Sequence, residues 1–455
     1  MTPQASEQSQ QPIENRQQLI DFLLRGARPR QDWGVGLESE KVVVDRQTGE
    51  AADYKQIREL LARLEGVGGW EGIYEQENLI GLQGKRSSVT LEPGGQIELS
   101  GRFCCDIHCS WRDLGRYRHQ IASAGQELGL AFFGLGVHPF SRLDEIGWLP
   151  KARYGIMGPY MLRTGDMGQR MMKQSAGTQV NLDFSDEADC LRKLRAAQWL
   201  APLSYALFAN SPILEGEPSG FLSLRGEIWS RTDADRCGLI LQMFAPEAGL
   251  DRFVEYALDV PLYFLQREHQ LLDLTGSRFT FRQYLESGYN GGRATLADWN
   301  LHLSTLFPEV RLRPQIEVRS ADSLPPAYTA SVAALYKGLL YSEPALAKIE
   351  AIFAELPLSD FQQLYRNSWR DGLKARFPSG TLQEVAATLL PEAVQSLQEQ
   401  YVAGLSGADE SQFLQPLEEI VFSGVTLAER LLSRWQGSRQ EKLLLLFEHC
   451  DFSDR

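Results

Sequence analysis

Four segments of the chain place acidic or amide side chains at alternating positions, as a strand does when one of its faces is polar. The polar members of this pattern are Glu38 and Glu40, Glu92 and Glu98, Gln179, Asn181 and Asp183, and Glu317 with Arg319. Five glutamates occupy these positions and no lysine does, so adjacent strands would crowd carboxylates that repel one another. Hard divalent cations, chiefly Mg²⁺, neutralise such oxygens. The pattern therefore predicts a Mg²⁺ site on a sheet.

The arginine in this pattern predicts a phosphate ligand. Arg319 carries a planar guanidinium, which binds phosphoryl oxygens through two parallel hydrogen bonds. An alternative is that the four segments form the solvated face of an ordinary antiparallel sheet. Both interpretations stay open at the level of periodicity.

The segments that carry these residues must be strands, and the rest of the chain must support them. In WGVGLESEKVVVD, Val35 and Leu37 alternate with the first two glutamates and predict a buried opposite face. In VTLEPGGQIELSG, the run Pro93–Gly95 predicts a bulge that could shift the register. Beyond Leu324, apolar residues at helical spacing between prolines predict an all-helical final third.

Several helix starts are predicted from capping residues. They are Ser110 with Asp113, Ser185, Ser359 with Gln362, and Thr381 with Glu384. The expected division of the chain is a disordered tail over 1–12, a catalytic core over 13–324 and a helical region over 325–455 that packs on the core.

Composition excludes several classes of protein. The chain has 455 residues with 46 Lys and Arg against 59 Asp and Glu, a net charge of −13, so its field repels nucleic acids and anionic membranes. With 43% hydrophobic residues it can bury a sizeable core, but it has no apolar run long enough to span a bilayer. Six cysteines and no recognisable secretory or transit signal predict a cytoplasmic protein with reduced thiols.

Long motifs, in order along the chain, closely resemble the glutamate-cysteine ligases of the plant-type branch that is also found in bacteria. They include GLESEK (36–41), SSVTLEPGGQIELSG (87–101), LPKARYGIM (149–157), MMKQSAGTQVNLDFS (171–185), SLRGEIW (223–229) and DWNLHLSTLFPEVRLRPQIEVRSAD (298–322). The resemblance implies an α+β fold of the glutamine synthetase and guanido kinase type. In that fold a curved antiparallel sheet, flanked by helices, carries the active site on its concave face.

The implied reaction joins the γ-carboxylate of L-glutamate to the amine of L-cysteine. ATP is the co-substrate, γ-glutamyl phosphate is the intermediate, and γ-glutamylcysteine is the product, in the first step of glutathione biosynthesis. Alternatives are a ligase of the same fold with another amine acceptor, a non-catalytic relative that binds Mg²⁺ or nucleotide, and a metal-dependent phosphohydrolase. The expected partners are small molecules, with no nucleic acid or membrane, and the expected assembly is a monomer or homodimer.

The resemblance also implies roles for individual residues. The implied Mg²⁺ ligands are Glu38, Glu40, Glu92, Glu98, Gln179 and Glu317. Arg319 and Glu317 are implied to be catalytic, and Arg319 with Asn181 to bind the nucleotide. Arg225 and Trp229 in SLRGEIW are implied to bind substrate.

One segment departs from the family. FCCDIHCSW follows Gly101, where relatives usually carry a small, apolar stretch without thiols. Cys104, Cys105, His108 and Cys109 are close in sequence, but no second Cys/His pair gives the spacing of a structural zinc site. Unremarkable thiols are expected, and zinc binding and redox sensitivity remain alternatives.

Overall fold

The computed structural model describes residues 10–268 and 270–452. Residues 1–9 of the predicted tail lie outside these ranges. At the end of that segment, Pro12 forms an isolated bridge with Thr295.

Helices occur along the whole described chain and dominate its last third. They are α1 (Gln17–Leu24), α2 (Tyr54–Glu65), α3 (Ile107–Leu128), α4 (Ala152–Thr164), α5 (Gly168–Gln174), α6 (Glu187–Trp199), α7 (Ala201–Leu207), α8 (Leu224–Ser230), α9 (Leu250–Asp259), α10 (Phe281–Ser287), α11 (Leu296–Leu303), α12 (Pro326–Leu340), α13 (Glu343–Phe353), α14 (Leu358–Asp371), α15 (Leu382–Val402), α16 (Gln415–Ser423), α17 (Leu427–Arg434) and α18 (Arg439–Cys450). Within the described ranges, no helix combines the length and apolar character needed to cross a bilayer.

The strands fall into one large sheet and several two-stranded pairs. They are β1 (Val35–Asp45), β2 (Glu71–Glu75), β3 (Asn78–Gln83), β4 (Ser88–Leu91), β5 (Ile97–Ser100), β6 (Leu130–Phe133), β7 (Gly177–Leu182), β8 (Ile213–Leu214), β9 (Glu217–Pro218), β10 (Cys237–Gly238), β11 (Phe264–Arg267), β12 (Gln270–Asp273), β13 (Phe307–Pro308), β14 (Val310–Leu312), β15 (Ile316–Asp322), β16 (Arg376–Phe377) and β17 (Gly380–Thr381).

The large sheet has the order β14-β15-β7-β1-β5-β4-β3-β2, and β6 pairs with the far end of β1. Each of these pairings is antiparallel. The prediction of a mixed helix and antiparallel-sheet fold is therefore confirmed. Pro93–Gly95 end the pairing of β4 with β5 in a hairpin connection, so the segment predicted to contain a bulge is two strands.

Strand β1 runs through the middle of this sheet, and its two faces differ. Val35 and Leu37 are buried on one face, as predicted, in contact with the hydrophobic core. Lys41 belongs to the same face and is fully buried, where its Nζ donates to Ser39 Oγ at 2.6 Å and to Ser323 Oγ at 3.2 Å. The glutamates of β1 belong to the other face.

Helices α3 and α12 pack against β1 and against each other, and α12 also contacts β7. The final third is helical as predicted, except for the short β16–β17 pair. Its helices share the core of the sheet through residues such as Leu335 and Leu339 of α12.

The predicted helix starts agree with the structure in part. Thr381 caps α15 with a complete capping box, as predicted. The predicted helix start at Ser110 is wrong. The carboxylate of Asp106 accepts a hydrogen bond from the Cys109 N–H and caps α3 four residues earlier. Ser185 is wrong by one residue, since Asp186 caps α6.

The predicted start at Ser359 is also wrong. Helix α14 begins at Leu358, directly after Pro357, whose fixed backbone angle suits a helix start.

Candidate active site

The strand register brings the polar residues of four separated segments into neighbouring positions. Glu38 of β1 lies opposite Gln179 of β7, and Glu40 lies opposite Glu98 of β5. Glu317 of β15 lies opposite Asn181 of β7. Because paired residues point to the same face of a sheet, these side chains share one surface.

A cavity of about 180 Å³ opens above this surface. Among its lining residues are Glu38, Glu40, Glu92, Glu98, Gln179, Trp229, Arg319, Arg153, Tyr154, Ser304 and Arg311. Seven predicted site residues thus line one cavity. The other three, Asn181, Arg225 and Glu317, lie directly behind it and contact its walls.

Burial and repulsion between carboxylates raise the pKa values of three of the cavity glutamates, Glu38, Glu40 and Glu98. Burial, with repulsion from Glu317 and Glu98, raises the pKa of Glu38 to about 8. Burial, with repulsion from Glu92, raises the pKa values of Glu40 and Glu98 to about 7. A cation bound by these carboxylates would therefore displace protons from them near neutral pH.

The two amides on β7 orient these carboxylates. Gln179 Nε2 donates to Glu40 Oε1 at 2.5 Å, and Asn181 Nδ2 donates to Glu38 Oε1 at 3.0 Å. Gln179 is 2% exposed, and its Oε1 has no hydrogen-bond partner among the described residues. A buried acceptor beside protonatable carboxylates fits a hard divalent cation, which binds carboxylate and amide oxygens. The oxygen donors of this surface are therefore of the kind that holds a divalent cation.

Glu317 has the opposite electrostatic environment. Its burial opposes ionisation, but Arg311 and Arg319 outweigh that cost and lower the pKa of Glu317 to about 2. Arg311 binds both carboxylate oxygens, with Nη2 at 2.9 Å from Oε1 and 2.7 Å from Oε2, and Arg319 Nη1 donates to Oε1. Glu317 is therefore a permanently ionised carboxylate between two cations.

The alternation of polar residues does not identify Arg311 as a site residue. It predicts one strand for RLRPQIEV, whereas this segment is a hairpin in which Arg311 of β14 lies opposite Glu317 of β15. The Arg-Pro pair between the two apolar runs was the available signal for a turn.

Arg225 lies beside the cavity in a space that a glycine leaves open. Its Nη1 donates to the carbonyl of Arg319 at 3.0 Å, and a Cβ placed on Gly177 would lie 2.6 Å from Nη2. Arg225 is 2% exposed, and its Nε has no hydrogen-bond partner among the described residues. The Trp229 ring lies 5.7 Å from the guanidinium carbons of both Arg225 and Arg319. Arg225 therefore has a buried donor without a partner among the described residues, close to Glu40.

The cysteine cluster does not join this cavity. Cys104 and Cys109 form a disulfide with Cα atoms 6.0 Å apart, so the expectation of reduced thiols is wrong for this pair. The loop between them folds back at the start of α3, which sequence spacing alone did not reveal. Cys105 is a free, exposed thiol, and His108 Nε2 contacts the carbonyl of Asp409 at 2.9 Å.

Comparison with known proteins gives consistent similarities. Residues 34–449 match the profile of glutamate-cysteine ligase family 2. The chain is 38% identical over 436 residues to the chloroplastic glutamate-cysteine ligase of Medicago truncatula. The aligned region covers 95% of this chain and 84% of that protein. It is also 38% identical over 430 residues to chloroplastic glutamate-cysteine ligase B of Oryza sativa subsp. japonica, with coverages of 93% and 85%.

A solved structure with the same fold is the glutamate-cysteine ligase of Francisella tularensis in complex with AMP. It has a TM-score of 0.53 at 11% identity, and the match covers 91% of this chain and 88% of that chain. A bifunctional glutathione synthetase from Pasteurella multocida has a TM-score of 0.52 at 12% identity, with coverages of 94% and 53%. At these identities the two structures establish the shared fold.

These similarities bear on the expected location of the protein and on its family. The relatives from Medicago truncatula and Oryza sativa are chloroplastic proteins, which contradicts the expectation of a cytoplasmic protein. The match to the family profile spans nearly the whole chain, and the sequence identity to its members is well above 30%. The chain therefore belongs to glutamate-cysteine ligase family 2.

Proposed function

We propose that the chain joins L-glutamate to L-cysteine at the expense of ATP and releases γ-glutamylcysteine. The observation that carries this proposal is the meeting of glutamates from β1 and β5, an amide from β7 and an arginine from β15 in one cavity. Membership of the family and the AMP-bound relative of the same fold support the use of a nucleotide.

Mg²⁺ is the cofactor that we assign to the acidic surface. The proposed ligands are Glu38, Glu40, Glu92, Glu98, Gln179 and Glu317. When bound, Mg²⁺ neutralises and orients the phosphate oxygens of ATP. The raised pKa values of Glu38, Glu40 and Glu98 mean that cation binding displaces protons from these carboxyl groups.

Arg225 and Arg319 bind different substrates, glutamate and ATP respectively. Arg225, with its unpartnered Nε, binds the α-carboxylate of glutamate and holds the γ-carboxylate toward the acidic surface. Arg319 extends from β15 into the cavity, and Asn181 supports Glu38 from the neighbouring strand. Arg319 stabilises the charge that develops on the phosphoryl group as it passes from ATP to the γ-carboxylate.

The remaining step is an acyl transfer. Once the γ-carboxylate carries the phosphoryl group, it is an electrophile, and the cysteine amine attacks its carbonyl carbon with loss of inorganic phosphate. Tyr154 and Trp229 line the same cavity and help to exclude water from the acyl phosphate. Exclusion of water favours attack by the amine over hydrolysis.

The test is release of ADP measured with no amino acid, with glutamate, and with glutamate plus cysteine or 2-aminobutyrate. We expect release that requires both amino acids and falls at least about a hundredfold in Glu40→Gln, because a lost metal ligand weakens charge neutralisation. The matched control is Glu247→Gln, an exposed glutamate away from the cavity. Release of ADP without any amino acid would instead identify a phosphohydrolase. Release of ADP with glutamate that requires an amine other than cysteine or 2-aminobutyrate would identify a different ligase.

A further inference from the structure

A second cavity, of about 630 Å³, lies on the opposite side of β5 from the candidate active site. Leu99 lines it, whereas Glu98, the preceding residue of the same strand, lines the active-site cavity. Successive residues of a strand point to opposite faces, so the sheet separates the two cavities. The second cavity is bounded by the β3–β4 turn on one side and by α3 on the other.

Basic residues outnumber acidic residues in the walls of this second cavity. Lys85 and Arg86, at the tip of the β3–β4 turn, are exposed and form no hydrogen bond or ion pair with any described residue. Arg102 and Arg116 line the opposite wall, where both pair with the carboxylate of Asp113. Four cations against one carboxylate leave a local charge of about +3 in a chain whose net charge is −13. Such a local reversal of sign attracts anions that the rest of the surface repels.

The turn that carries two of these cations is fixed by its own hydrogen bonds. Gly84 N–H donates to the Ser87 carbonyl at 2.8 Å, and Gln83 Nε2 donates to the carbonyls of both Gly84 and Ser87, at 2.7 and 3.1 Å. The Trp70 ring packs against Gly84, and its Nε1 donates to Gln120 on α3 at 3.0 Å. Turn and helix are thus held at a defined separation, which lowers the entropic cost of binding between them.

A buried hydroxyl in the same wall also lacks a partner. Tyr117 of α3 lines the cavity and is 2% exposed, and its hydroxyl forms no hydrogen bond with any described residue. Burial, with the nearby charge of Glu98, raises the pKa of Tyr117, so the hydroxyl stays protonated and can donate. Buried polar groups are usually hydrogen-bonded, so the free Tyr117 hydroxyl can donate to an acceptor oxygen of a bound ligand.

From this combination we propose that the cavity is a binding site for a small anion with two or more phosphate groups, separate from the active site. Lys85 and Arg86 bind the anion from the turn, Arg102 and Arg116 bind it from the helix side, and the Tyr117 hydroxyl donates to one of its oxygens. Because the protein's own side chains supply the positive charge, the site needs no divalent cation. The acidic active site, by contrast, repels a free polyphosphate unless a metal is present.

This difference defines the experiment, which is titration calorimetry of the full chain with inorganic pyrophosphate in the presence of EDTA. We expect one molecule bound per chain. The variant Lys85→Gln/Arg86→Gln should weaken binding by about thirtyfold, since it removes two charge-assisted contacts. The control Lys55→Gln/Arg58→Gln removes the same charge from the exposed face of α2, outside the cavity, and should weaken binding less than about threefold.

A second variant tests the buried hydroxyl without changing the charge. Tyr117→Phe should weaken pyrophosphate binding by about three- to tenfold while preserving the unfolding temperature, because the hydroxyl has no partner in the free protein. Equal loss of affinity in the cavity variant and the α2 control would mean a diffuse electrostatic effect and would overturn the proposal. Absence of binding in EDTA would also overturn it.

The proposal for the active site and the proposal for this second site can be refuted separately. Glu40→Gln should leave pyrophosphate binding in EDTA unchanged whatever it does to ADP release. Pyrophosphate could instead bind only when Mg²⁺ is present, and Glu40→Gln could abolish that binding. In that case the anion binds at the active site and the second site does not exist.

Discussion

Replacing Arg311 by methionine should reveal how strongly the enzyme depends on the ion cluster at the end of β15. The Arg311 guanidinium makes three contacts of 2.7 to 2.9 Å with the Glu317 carboxylate, and both side chains are almost completely buried. Breaking a buried pair by removing one partner costs about 3–5 kcal/mol, because the other charge stays in a poorly solvated place. We expect about 3 kcal/mol, the lower end, since Arg319 still contacts Glu317.

The assay is chemical and thermal unfolding of Arg311→Met, Glu317→Gln and the double variant. For a chain of this length, 3 kcal/mol corresponds to a decrease of about 3 °C in the unfolding temperature. The double variant should recover about 2 kcal/mol relative to the sum of the single changes, because it removes both buried charges of the pair. It should nevertheless stay inactive in ADP release, since the proposed metal ligand Glu317 is absent.

Additive effects would refute this reasoning. If the coupling free energy between the two positions is below about 0.5 kcal/mol, the contacts between Arg311 and Glu317 contribute little and their burial does not isolate them from solvent. An active double variant would show that Glu317 is not needed for the reaction.

Three further predictions follow from the same geometry. The folded state raises the pKa values of Glu38, Glu40 and Glu98 from 4.5 to about 7–8, so the folded protein without a cation holds protons that the unfolded chain releases. The stability that these groups contribute should fall as the pH rises from about 4.5 to 8, and Mg²⁺ should restore it, in thermal unfolding measured with and without the ion. Gly177→Ala should displace Arg225 and raise the KM for glutamate by about tenfold with little change in the KM for ATP, in steady-state kinetics, whereas equal changes in both would contradict the assignment. Reduction of the disulfide between Cys104 and Cys109 should lower the free energy of unfolding by about 2 kcal/mol, the entropy of a short closed loop, with Cys104→Ser/Cys109→Ser insensitive to reductant.

Much of the active surface was predictable because strands impose a simple alternation. Glu38 and Glu40 on β1 could be assigned to one face from spacing alone, and the cross-strand partners confirm that face. The family resemblance supplied what periodicity lacks, namely which distant strands are neighbours. Roles for individual residues stay predictions until the variants are measured.

The residues that escaped prediction depend on contacts between distant segments. Arg311 became part of the site through a hairpin that reads in sequence as one strand. The disulfide of Cys104 with Cys109 depends on where Asp106 starts α3, because that carboxylate caps the helix ahead of Ser110, which the capping pattern favours. Local propensity cannot decide between two capping residues that lie one helical turn apart when tertiary packing selects one of them.

The opposite charges of the two faces of β1 also fix how the strand can change over evolutionary time. Glu38 and Glu40 occupy one face, and Lys41 is sealed in the other among hydroxyl groups. Inserting or deleting a single residue upstream within the strand would move the carboxylates into the hydrophobic core and the Lys41 amine into the candidate active-site cavity. Length variation in this protein should therefore accumulate in its loops, because this strand tolerates no shift of register.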